Sequence, residues 1–168
     1  SVYGRKAVWY RYGTIRQKDL LTAWVTHLVL NELRIDGYPL KTIFAGLDEK
    51  SPKEAVWKVL EFSPVDNPRK FLEQILLKYQ EGLVKPLKFF PKTSYRFAQL
   101  LKRQKINPEE AVDKVKSVFI GNDFSKGEFD DLYYRICFEN SSPLDQEFRD
   151  NALIIWSPLL DHLKSHEG

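Results

Sequence analysis

The chain has 168 residues, 43% of them hydrophobic and 14% aromatic, and a net charge of +3, enough to bury a sizeable core in one domain or one core with an appendage. No apolar run approaches the ~20 residues of a membrane span and no signal peptide opens the chain. A single cysteine, Cys137, excludes an internal disulfide framework and fits a reducing compartment. His27, His162 and His166 stand at no metal-ligand spacing from it. Met is absent, position 1 included, so the chain is expected to be a piece of a larger protein.

In chain order, Val8 to Tyr12 is β-prone and ends at Gly13. Thr14 followed by Gln17 has the form of a capping box and predicts a helix start there. Leu20, Leu21, Trp24, Val25, Leu28, Val29 and Leu33 give that helix an apolar stripe that runs to about Arg34. Arg34 to Leu40 is turn-like. Thr42 to Leu47 and Ala55 to Phe62 predict strands, joined by a polar hairpin connection from Asp48 to Lys53.

Asn67-Pro68 is an N-cap with Pro at the first helical position. The helix it opens carries Phe71, Leu72, Ile75, Leu76, Tyr79 and Leu83 on one face, and Gly82 is suited to terminate it. Leu87 to Phe90, between two prolines, predicts a short buried strand. Helices are expected over about 94–105, Asn107 to Ile120, about 129–138 and Ser142 to the end, the last kinked or broken at Pro158. Gly121 and Gly127 mark an exposed loop.

The order predicts an α+β or α/β chain, with residues 1–92 as the α/β core and 93–168 as a helical C-terminal extension of a single domain. It is also the core order of restriction-endonuclease-like nucleases. Charge is segregated along this chain. Residues 82–108 hold seven basic side chains and no acidic one, whereas residues 109–168 hold thirteen acidic against six basic. Lys85, Lys88, Lys92, Arg96, Lys102, Arg103 and Lys105 are interleaved with Phe89, Phe90, Tyr95 and Phe97, a pattern suited to DNA phosphate. Lys102, Arg103 and Lys105 would also simply favour a helix C-terminus.

Three blocks carry a family resemblance: Lys18 to Leu28; Tyr79 to Leu83 continuing to Pro86 to Ser94; and Gly127-Glu128 leading into Asp130 to Arg135, followed by Pro143-Leu144-Asp145 and Pro158-Leu159-Leu160. In this order the chain resembles the C-terminal region of the RecC-type gamma subunit of exodeoxyribonuclease V, the RecBCD helicase–nuclease. The resemblance implies a PD-(D/E)xK-type, restriction-endonuclease-like core with a degenerate active site. It further implies a non-catalytic domain that guides DNA, as duplex end or single strand, and docks on the beta and alpha subunits in the bacterial cytoplasm. Mg²⁺ and ATP would be used by those partner subunits, with no cofactor in this domain. The setting would be double-strand break repair and homologous recombination.

The residues bear on that inactivity. Such a nuclease holds Mg²⁺ with two or three carboxylates and places a Lys two residues beyond one of them. The only match is Asp48-Glu49-Lys50, in the polar connection beside Ser51-Pro52, and Glu61 points away from Glu54 and Lys58 on the following strand. The connection, with Asp48, Lys50 and Lys53, is also the candidate hairpin at a DNA fork. The alternatives are an active metal-dependent nuclease and a purely structural subunit-interaction module. His27 is expected to be a packed, hydrogen-bonded histidine, and Cys137 a buried inert thiol. No glycine-rich phosphate loop is present.

Overall fold

The computed structural model describes residues 2–3, 6–48, 56–122 and 125–166. In chain order the elements are β1 (Val2–Tyr3), β2 (Lys6–Thr14), α1 (Gln17–Leu33), β3 (Lys41–Leu47), β4 (Trp57–Phe62), α2 (Pro68–Val84), α3 (Pro91–Gln104), α4 (Pro108–Ile120), β5 (Gly121–Asn122), β6 (Ser125–Lys126), a 3-10 turn (Glu128–Asp130), α5 (Leu132–Phe138), α6 (Gln146–His162) and β7 (Leu163–His166). The fold is mixed α and β, as the element order predicts. Two compact units divide it, residues 1–73 with 161–168, and residues 74–160.

The first unit is a five-stranded sheet in the order β1-β2-β3-β4-β7. β2 and β3 run parallel, connected through α1, with Val8 opposite Ile43 and Tyr10 opposite Ala45. β3 and β4 form an antiparallel hairpin, Phe44 opposite Leu60, whose connecting residues 49–55 lie outside the described residues. β7 adds antiparallel to β4, with Glu61 opposite Lys164. Strand alternation sends Ala7, Phe44, Leu60 and Phe62 to the face that α1 covers, and all four are buried. Trp24 and His27 of α1 stack there at 5.5 Å between ring centroids, and Phe62 lies 5.5 Å from Trp24.

A buried polar network fastens α1 to this sheet. His27 Nε2 is 3.0 Å from the Ser63 carbonyl, which can only accept, so Nε2 carries the proton and Nδ1 accepts from the Thr42 hydroxyl at 2.9 Å. Asn31, one turn on, donates to the carbonyls of His27 and Leu40 and accepts from the Val65 N–H. Burial, the Ser63 hydrogen bond and nearby His162 act on the imidazole, and burial dominates, lowering the His27 pKa to about 4. The expectation of a packed histidine holds. α1 itself starts three residues later than Thr14. Arg16 is its N-cap, and the Asp19 carboxylate accepts from the Arg16 N–H at 3.0 Å.

The second unit is helical. Phe90, Phe97, Leu100, Val115, Phe119 and Phe148 are buried in its core. Phe90 is ringed by Phe119, Tyr134, Phe138 and Phe148 at centroid distances of 4.7 to 6.0 Å. α4 opens on Asn107, whose side chain accepts from the Glu110 N–H, with Pro108 at the first helical position.

Five expectations are corrected. Leu87 to Phe90 forms no strand; Phe90 is the N-cap of α3, and its N–H donates to Ser94 Oγ at 3.1 Å. α2 runs past Gly82 to Val84. α6 continues through Pro158 to His162 with Ile155, Trp156, Leu159 and Leu160 buried on either side; burying those side chains outweighs the ~3 kcal/mol that an interior proline costs. The chain then leaves the helix as β7, because the open edge of β4 offers hydrogen bonds that local propensity does not register. Cys137, expected inside, is exposed on the seven-residue α5, because the buried side chain of that helix is Phe138.

Candidate nucleic-acid interface

All seven basic candidates of the acid-free segment lie in the second unit, but they divide into two sets. Lys85 forms ion pairs with Glu81 at 2.9 Å and Glu147 at 3.0 Å, and its hydrogen bonds to both carboxylates raise its pKa. Lys88 pairs with Asp145 and donates to the Ser142 carbonyl at 3.1 Å. Burial pushes the Asp145 carboxyl up, yet hydrogen bonds from Lys88 and from the Phe148 and Glu147 N–H groups hold it below its ordinary value. The acidic third of the chain thus returns to the first part of the basic segment, and the charge separation seen in sequence is partly cancelled in space.

The second set sits on and just beyond α3. At roughly 100° per residue, Lys92, Arg96 and Arg103 fall within about 40° of one another around the helix. The opposite side of α3 is Thr93, Ser94, Phe97, Ala98 and Leu100, all buried. Lys92, Arg96, Lys102, Arg103 and Lys105 are all exposed. Lys102 stands about 80° from Lys92 around the helix. Lys105 is the C-cap, with φ 52°, and its N–H donates to the Leu100 carbonyl. Lys102 and Arg103 also occupy the last turn, where cations complement the helix dipole. An amphipathic helix therefore presents a cationic stripe of Lys92, Arg96 and Arg103, with Gln99 between the two arginines.

The sequence did not reveal what aims this stripe. Glu128, in the 3-10 turn, accepts from the N–H groups of Lys92 at 2.9 Å and Thr93 at 2.6 Å, capping α3 with a negative charge at its N-terminus. A carboxylate 35 residues downstream carries no local signal for that role. The α3 C-terminal end is closed locally, where Lys105 turns left-handed and Ile106 N–H reaches back to the Leu100 carbonyl at 3.4 Å.

In the first unit, Asp48 is the described member of the fork-hairpin candidate. Its N–H donates to the Val56 carbonyl at 2.9 Å and its carboxylate is 3.8 Å from Lys58 Nζ. Lys50 and Lys53 lie outside the described residues. Glu61 does not face Asp48 or Lys58. It projects from the other face of the sheet, 3.6 Å from Lys6, 3.2 Å from Lys41 and 4.0 Å from His166. Burial acts to raise its pKa, but the Lys41 hydrogen bond and the charges of Lys41, Lys6 and His166 outweigh it and lower the value. Among the described residues no three His, Cys, Asp or Glu side chains converge as metal ligands would, and no helix is long and apolar enough to cross a membrane.

The sequence model of one family, the RecC C-terminal domain, matches residues 1–102. No curated protein matches the chain.

Proposed function

The chain belongs to the RecC C-terminal domain family, and on that premise we propose that it is a non-catalytic, DNA-guiding and subunit-docking domain of the gamma subunit of an ATP-dependent exodeoxyribonuclease. RecC is a subunit of the multi-subunit RecBCD complex, which acts on DNA. The domain works beside the beta and alpha subunits in double-strand break repair and recombination, in the cytoplasm, and leaves Mg²⁺ and ATP to them. The carrying observation is the stripe of Lys92, Arg96 and Arg103 on one side of α3, opposite a fully buried side. Cations in that arrangement neutralise phosphates without reading bases, which suits guidance of any sequence.

The core is read as a nuclease-like sheet whose catalytic groups are gone. Support comes from Glu61, which is neutralised by Lys6 and Lys41 where a nuclease would gather carboxylates around a divalent cation. The docking role is supported by Leu76, Tyr79 and Leu83, which repeat along one side of α2 and remain 57%, 64% and 70% exposed.

Fluorescence anisotropy with a labelled 20-nucleotide single strand and a forked duplex tests the reading. The chain should bind both weakly, with affinity falling steeply as salt rises. Replacing Lys92, Arg96 and Arg103 together by Gln should flatten the slope of log K against log[salt] by about 2 on the single strand, at ~0.7 per phosphate contact. Undetectable binding at low salt, or an unchanged slope, refutes DNA guidance by α3. Incubation with DNA and Mg²⁺ should give no cleavage; cleavage abolished by Lys50→Ala would refute the non-catalytic part.

A further inference from the structure

The face of the sheet turned away from α1 carries a second surface that the α3 stripe does not use. Tyr10 and Tyr12 of β2 point to it and are 76% and 92% exposed. Trp57 of β4, 47% exposed, lies with its ring centroid 6.5 Å from that of Tyr12 at an interplanar angle of 59°, which places all three rings on one side. Side chains this large are ordinarily drawn into the core or an interface. Here Tyr10 and Tyr12 stay largely exposed, and Trp57 about half exposed.

Charge is distributed along the same face. Lys6 and Lys41 flank Glu61, and Lys164 is the cross-strand neighbour of that carboxylate. Among the described residues, three lysines against one carboxylate leave this end of the face positive. Lys6 is six residues from Tyr12 along β2, roughly 20 Å at 3.3 Å per residue. A strip with aromatic rings at one end and an excess of lysine at the other matches a strand of nucleic acid whose bases are unpaired. A duplex does not fit it, because stacking hides the base faces that the rings would meet.

We infer that the open face of this sheet binds single-stranded DNA, with bases stacking on Tyr12 and Trp57 and phosphates lying along Lys6, Lys41 and Lys164. The choice of DNA over RNA rests on the proposed function; the stacking does not.

Titration of the chain with oligo(dT) of 20 nucleotides at low salt, followed by tryptophan emission and by anisotropy, tests this. Binding should quench emission, and Trp57→Phe should remove most of the quench while keeping the affinity within a fewfold. Tyr12→Ala and Trp57→Ala should each weaken binding about tenfold, within the range that aromatic truncation costs per stacked base. Tyr12→Phe should bind as the parent does. A duplex of the same length should not quench. Unchanged urea midpoints of the variants establish that they fold.

Affinity of the Tyr12→Ala/Trp57→Ala double variant within twofold of the parent overturns the proposal. So does a self-association of the parent that the double variant abolishes without changing oligo(dT) affinity, since the face would then belong to a second copy. The α3 triple Gln variant separates the two DNA surfaces. If the sheet binds in its own right, the Trp57-dependent quench persists in that variant at low salt, even where the α3 reading fails. A stronger response to oligo(rU) than to oligo(dT) overturns the choice of DNA.

Discussion

Protonation of His27 should couple the stability of the sheet unit to pH. The imidazole is fully buried between Trp24 and Phe62, donates from Nε2 to the Ser63 carbonyl and accepts at Nδ1 from Thr42. A proton added at Nδ1 would put charge into that apolar setting and near His162, which is why the folded pKa falls from 6.5 to about 4. The unfolded chain keeps a pKa near 6.5, so below that value it binds a proton that the folded chain refuses. The contribution is therefore complete above pH 6.5, declines as pH falls, and is flat below 4. Its full size is about 3 kcal/mol, with about 2 kcal/mol already lost by pH 5. That is a large share of the 5–15 kcal/mol that typically holds a domain together. Urea unfolding at pH 7.5 and 5.0 reads the loss directly. His27→Gln keeps an N–H for Ser63 and an acceptor for Thr42 but does not titrate, so its stability should fall less over the same interval, by about 2 kcal/mol. The His27 Hε1 resonance should titrate with a midpoint near 4. A midpoint near 6.5, or equal pH dependence in the two proteins, would refute the reasoning.

Two substitutions test the helical unit. Phe90→Ala should cost about 3–5 kcal/mol of unfolding free energy, because four aromatic rings surround the vacated volume, and Phe90→Leu should cost clearly less; calorimetry or urea titration measures both. Gly127→Ala should destabilise by at least ~2 kcal/mol, since its Cβ would overlap the Ile120 carbonyl carbon and the Phe119 oxygen, which are backbone atoms and cannot swing aside. A Gly127→Ala variant as stable as the parent would show that the β5–β6 turn can open without disturbing α4.

Much of this protein was legible in its sequence, and the reasons are local. The α1 stripe through Trp24 and Leu28, the β-branched and aromatic run of β3, and the Asn107-Pro108 start of α4 are written in side-chain period and capping chemistry, which act within a few residues. The cationic side of α3 was legible for the same reason, as was the family, through the blocks at Lys18 to Leu28 and Tyr79 to Ser94 that lie within the matched residues. What needed tertiary structure was everything settled by residues far apart in sequence. Lys85 and Lys88 read as part of a basic surface until Glu147 and Asp145, some sixty residues on, came to meet them. Leu163 to His166 read as the end of a helix until the edge of β4 supplied partners for their backbone groups. Tyr12 and Trp57 read as ordinary strand residues until β3 set them on one open face. Local propensity fixes which segments can be helix or strand. Long-range pairing of charges and backbone edges decides which side chains are spent inside the fold and which remain for a partner.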